Sequence, residues 1–174
     1  MRKNIANWIT VSLAAAILLS TAGCTHNISR TDYRPEISAT AQEPLTEDRI
    51  GVLDANEQIT ATVEYKGLVP KTQYVVRGIL MDRDTGKELL DASGMPVTGE
   101  ISFRTGRAKD RSAGACGSIN LSFTFDSSDM AGVTVVVFEY LYLDGQEVTA
   151  LTDLNDEYQS IHYVSVTTEV KDKE

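Results

Sequence analysis

From Glu36 onward the chain is punctuated at short, regular intervals, and this spacing limits its possible folds more than any other feature. Runs rich in β-branched and aromatic residues fall at Glu36 to Gln42, Gln58 to Tyr65, Thr72 to Asp82, Val97 to Arg104, Ser118 to Phe125, Val133 to Leu143, Gln146 to Leu151 and Ser160 to Thr168. Each shows at least partial alternation of apolar and polar residues, the period of a strand with one buried face. Turn formers stand between them: "KGLVPKT", "DRDTGKE", and the Asp144-Gly145 pair of "LDGQE", which suits a tight hairpin. No segment carries the period of a long amphipathic helix, and Ser127 to Ala131, "SSDMA", has room for one helical turn at most. Short strands at such intervals predict an all-β chain folded as a β-sandwich of about seven to eight strands.

The N-terminus is of different material. Arg2 and Lys3 precede the apolar run "WITVSLAAAILLSTA", and "TAGC" (Thr21 to Cys24) follows. A basic start, a short apolar stretch and small residues before a cysteine describe a lipoprotein signal over residues 1–23, too short for a comfortable membrane span. Cys24 is then the lipidated residue and the new N-terminus, and acyl chains there give durable anchoring. A plain signal peptide cut near Ala22 is the simpler alternative. The polar stretch over residues 24–34 reads as a tether, residues 35–168 as the folded domain, and residues 169–174 as a solvated tail. The net charge of −9 becomes −11 once Arg2 and Lys3 leave with the signal, since residues 1–23 contain no acid. A surface this acidic argues against nucleic acid and against binding anionic lipid by charge.

Candidates for chemistry are few. His26 and His162 are the only histidines, and no zinc-like spacing exists, so no metal and no cofactor are expected. His26 falls in the tether, and His162 reads as an exposed strand position. The acidic turn "LTDLNDEYQ" brings Asp153, Asn155, Asp156 and Glu157 close together, but its spacing differs from a calcium-binding loop and suits turn-making and solubility. With Cys24 lipidated, Cys116 has no partner for an internal disulfide and reads as a loop or strand-edge residue. The anomaly is Glu139 inside "VTVVVFEYLYLDG". A buried carboxylate must be hydrogen-bonded, paired or protonated. Glu139 therefore either reaches water or a loop at a sheet edge, or serves as a proton donor or hydrogen-bond holder in a buried reaction site.

The residues around it carry a family likeness. "VVVFEYLYLDGQEV" followed by "LTDLNDEYQS" closely resembles the closing strands of VaFE-repeat domains of bacterial surface proteins. The upstream segments "RPEISATA", "TVEYKGLVPKTQYVVRGILMDRDTGKEL", "PVTGEISF" and "GSINLSFTFDSSDMAGVTVVVFE" agree in order, so the likeness spans roughly Pro35 to Val166. The resemblance implies an Ig-like sandwich. It also implies an internal ester, formed when a first-strand threonine attacks the side-chain amide of a glutamine near the last strand and releases ammonia. In that family a histidine, an aspartate and a buried glutamate assist. Here Gln159 in "NDEYQ" matches the acyl donor and Glu139 matches the glutamate. The histidine position holds Leu151, in "LTDLND", and the aspartate position holds Ala61, in "ATVEY". The first strand reads Ala39-Thr40, and the likeness leaves open which of the two matches the nucleophile. With base and helper replaced by apolar residues, a loss of roughly two to four orders of magnitude in rate is expected. Glu139 and Gln159 then read as remnants of a crosslink site, bonded to each other or to the first strand.

The expectation is a non-enzymatic, lipid-anchored module on the cell surface, serving adhesion, stalk structure or contact with a surface or host protein. A self-crosslinking domain using Thr40, Glu139 and Gln159 is the first alternative. An extracytoplasmic glycan- or solute-binding protein is the second, although Tyr140 and Tyr142 read as one strand face rather than an aromatic platform.

Overall fold

The structure, a computed structural model, describes residues 33–44 and 48–164. The signal segment, Cys24, most of the tether, the tail and the end of the strand expected over 160–168 lie outside the described residues. The described residues form nine strands: β1 (Glu36–Gln42), β2 (Glu57–Leu68), β3 (Gln73–Asp82), β4 (Lys87–Glu88), β5 (Thr98–Arg104), β6 (Ala115–Phe125), β7 (Thr134–Leu143), β8 (Gln146–Leu151) and β9 (Ser160–His162). The last of these ends at His162, earlier than its alternation suggests. The only helical element among the described residues is a 3-10 turn, Glu157–Gln159. Ser127 to Ala131 makes a hydrogen-bonded turn instead, closed by Met130 N donating to Ser127 O at 2.9 Å.

The strands form two sheets, and every pairing between strands is antiparallel. The smaller has the order β1-β2-β6. The larger has β4-β3-β7-β8 as its path, with β5 also pairing β3 and β9 also pairing β7. This is the expected all-β sandwich. Alternation decides which residues meet between the sheets. Ile59, Ala61 and Val63 of β2 and Leu121 and Phe123 of β6 face Tyr74, Val76 and Leu80 of β3 and Val135, Val137 and Leu141 of β7 in one buried cluster. At Asp144-Gly145 both residues have positive φ, 52° and 78°, the geometry of the tight hairpin that the pair predicts.

The position of β7 explains its composition. It pairs with β3 along one edge and with β8 and β9 along the other, and Val135, Val136, Val137, Phe138 and Glu139 on its two faces are all buried. A strand enclosed this way needs apolar side chains on both faces, which the valine run supplies. Glu139 falls in phase with Val137 and Leu141, whose side chains enter the core.

Candidate functional site

Glu139 is central in the larger sheet, opposite Gly78 of β3 and Leu151 of β8. Gly78 has no room for a side chain, because a Cβ there would collide with Leu121 and Phe123 across the sandwich. The sheets therefore approach closely beside the carboxyl group. Glu139 is 0% exposed, and neither Oε1 nor Oε2 has a hydrogen-bond partner among the described residues. The sheet-edge reading of Glu139 is thereby corrected: β7 is paired on both sides and is no edge, and the carboxyl group faces the core with no exposed surface. Burial, with a smaller contribution from the negative charge of Asp156, pushes its pKa up to about 9. At neutral pH it is a neutral acid.

Gln159 closes the 3-10 turn and is 1% exposed. Its Nε2 donates to Asp156 Oδ2 at 2.9 Å, while its Oε1 has no partner among the described residues. No hydrogen bond joins Gln159 to Glu139 or to β1, contrary to the expectation of a remnant pair; Asp156 takes the amide instead. Asp156 is the residue that the sequence reading assigned only to turn-making. It caps the turn by accepting from Tyr158 N through Oδ1 at 2.9 Å, and its carbonyl accepts from Ser160 Oγ at 2.7 Å. The Asp-x-x-Gln spacing is the signal that could have revealed it, since positions three apart on a helical turn are neighbours.

The turn is fastened from outside by Arg83, whose Nη2 donates to Glu157 Oε1 at 2.6 Å and whose Nε donates to Leu154 O at 2.9 Å. His162 is half-buried rather than freely exposed, hydrogen-bonded to Thr134 Oγ1 at 3.1 Å and to Glu157 Oε2 at 3.3 Å. The residues of the acidic turn are thus used in capping and ion pairing, and no group suited to hold a metal occurs among the described residues. Cys116 is exposed at the start of β6.

The first strand runs past this site, near the 3-10 turn and β8. Its alternation places Ile37, Ala39 and Ala41 inward and Glu36, Ser38 and Thr40 outward. Thr40 is exposed and pairs with Thr62, so its hydroxyl sits on the far side of the strand from Gln159. Ala39 holds the inward position, opposite Val63, and Ala41 lies opposite Ala61, which is 0% exposed. Leu151 shares the inner face with Glu139, its direct partner across the ladder. Glu139, Gln159 and Ala61 are buried and Leu151 is half-buried beside Glu139, whereas Thr40 faces outward.

The sequence model of one family, described as T-Q ester bond containing domain, matches residues 35–163. The chain belongs to that family. Among solved structures, this T-Q ester domain is similar to a bacterial adhesin from Mobiluncus mulieris described as containing intramolecular disulfide, isopeptide and ester bond cross-links. In one crystal form of that adhesin the TM-score is 0.60 at 13% identity, over 75% of this chain and 57% of the adhesin chain. In a second form it is 0.58 at 13% identity, over 74% and 56%. The T-Q ester domain thus spans little more than half the length of these structural relatives, and the likeness concerns the fold. No curated protein sequence matches the chain.

Proposed function

We propose that this T-Q ester domain is a non-enzymatic surface module, carried outside the cell on a lipid at Cys24, that serves adhesion, stalk structure or protein contact without an internal ester. The observation that carries this reading is the phase of β1: Ala39 and Ala41 face inward, and the hydroxyl of Thr40 faces solvent. Acyl transfer needs an oxygen nucleophile at the amide carbon and a base to take its proton. Here the inward positions of β1 offer methyl groups, and the histidine and aspartate positions hold Leu151 and Ala61. Glu139 could still deliver a proton to a departing ammonia, but nothing begins the attack. The family match and the likeness to a crosslinked adhesin support the adhesin-like role. The arrangement of "TAGC" supports the anchor.

Intact-mass measurement on the mature chain tests the missing ester. Ester formation between a threonine hydroxyl and the Gln159 amide expels one ammonia, so a crosslinked domain is lighter than its sequence by that molecule. The expected mass is that of the uncrosslinked chain. A deficit of one ammonia, with Thr40 and Gln159 recovered in a single branched peptide after digestion, would establish the self-crosslinking alternative.

A further inference from the structure

The net charge hides a separation of charge along the length of the domain. β2 and β6 run the height of the smaller sheet, with Leu68 opposite Ala115 at one end and Glu57 opposite Phe125 at the other. The twelve residues of β2 set these ends roughly 36 Å apart. At the Glu57 end, loops 43–56, 126–133 and 152–158 contain nine acids and one cation, Arg49. The described chain also finishes there, with Tyr163 Oη donating to Glu57 Oε1 at 3.2 Å. The Leu68 end is the reverse. From the end of β5 toward β6 the chain reads "RTGRAKDRSAG", residues 104–114, in which Arg104, Arg107, Lys109 and Arg111 are exposed and Asp110 is the single acid. Asp110 is committed within the loop, its Oδ1 accepting from Ser112 N at 2.9 Å and from Ser112 Oγ at 2.7 Å. The loop is held against the β2–β3 turn, where Lys71 N donates to Gly106 O at 3.2 Å and Thr105 N to Thr72 O at 3.0 Å. The chain enters the domain at the same place. Tyr33 Oη donates to Arg111 O at 3.1 Å, and Arg34 O lies so close to Gly67 that a Cβ there would collide with it. Arg34 and Lys71 are exposed like the four loop cations, and none of the six has an ion-pair partner among the described residues. Glu36 at this end is paired with Lys66 at 2.8 Å. Asp144 and Glu147 belong to the β7–β8 hairpin, separated from β5 by β3.

We propose that this end of the domain rests on an anionic bilayer surface, with the cations of residues 104–111, Arg34 and Lys71 meeting the phosphates of acidic lipids. Each lysine or arginine near such a surface contributes about fivefold in affinity. At about 0.1 M salt the screening length is about 10 Å, so the acids at the opposite end do not cancel the attraction. The net charge argues against anionic lipid only for a molecule whose charge is evenly spread. The inference rests on the proposed lipid at Cys24 for its setting. Nine residues lead from Cys24 to Tyr33, a span of at most about 32 Å, so an anchored chain keeps the basic loop within reach of the headgroups. It stands whether or not the ester forms.

Co-sedimentation of the mature chain, without its lipid, with phospholipid vesicles tests it. At about 0.1 M salt the chain is expected to bind vesicles of phosphatidylcholine mixed with phosphatidylglycerol, to ignore phosphatidylcholine alone, and to be released at about 0.5 M. Arg107→Gln combined with Lys109→Gln is expected to weaken binding about tenfold or more. Arg49→Gln combined with Lys87→Gln removes equal charge from the opposite end, where Lys87 pairs with Asp82, and is expected to leave binding unchanged. Absence of binding to the acidic vesicles, or equal weakening by the two pairs of substitutions, would overturn the proposal. So would a soluble glycerol-phosphate polymer that displaces the chain from the vesicles at equal phosphate concentration, because the cations would then serve an anionic polymer rather than a bilayer. Incorporation of radiolabelled palmitate at Cys24 tests the anchor by itself, so a failure of the anchor and a failure of the basic end are told apart.

Discussion

A carboxyl group with no exposed surface and no bonded partner is a linkage device whether or not it ever took part in chemistry. Glu139 has a folded pKa of about 9, against 4.5 for the free group. Between those values the folded domain keeps a proton that the unfolded chain gives up. Its contribution to stability is therefore full below pH 4.5, falls as pH rises through the window, and levels off above pH 9. The steepest slope it can impose is about 1.4 kcal/mol per pH unit. Glu139→Gln keeps the shape and removes the titration. The variant is expected to gain stability relative to the parent as pH rises from 5 to 8, by about 1–3 kcal/mol at the upper end. Urea unfolding of both proteins at several pH values reads this difference. A variant equally destabilised at pH 5 and pH 8 would mean that the carboxylate has an ionic partner and that the assignment of a neutral acid is wrong.

At the scale of elements, the 3-10 turn is what presents Gln159 to the interior, and Asp156 is its keystone. Asp156→Ala removes the acceptor of Tyr158 N and leaves the buried Gln159 amide short of a partner. A loss of about 1–3 kcal/mol is expected from the cap and the orphaned donor together. Chemical denaturation measures it, and an unchanged midpoint would mean that the Arg83 contacts alone hold the turn. The strands themselves were readable from the sequence because each half-buried strand writes its own period of two. The valine run before Glu139 fits a strand buried on both faces. The choice between Ala39 and Thr40 was not readable, since a slip of one residue exchanges the faces of a strand. Only the ladder to β2, with Ala39 opposite Val63 and Thr40 opposite Thr62, decides it. Asp156 was hidden for a different reason. In a loop rich in Asp and Asn any member can cap, and chain direction after Leu151 determines which one turns inward.

For the molecule as a whole, the consequence of a first strand left unlinked, as proposed above, is mechanical. β1 belongs to the smaller sheet and β9 to the larger, so tension applied through the two ends acts on separate ladders. β1 is held by seven antiparallel pairings to β2 and by the packing of Ile37, Ala39 and Ala41, all with small or modest side chains at the interface. β9 is held to β7 by three pairings. An ester from the first strand to Gln159 would carry the load covalently and keep the chain between them folded at any force short of bond rupture. Without it, the first ladder to fail exposes the core on both sides. Extending the chain from Glu36 to His162 at about 3.3–3.6 Å per residue releases roughly 400 Å of contour length. Single-molecule pulling from the two ends is expected to show one step of about that size, at the modest forces typical of hydrogen-bonded strands. A molecule that lengthens only by its terminal segments and then resists further extension would reveal a covalent tie across the sandwich, and with it an error in the assigned phase of β1.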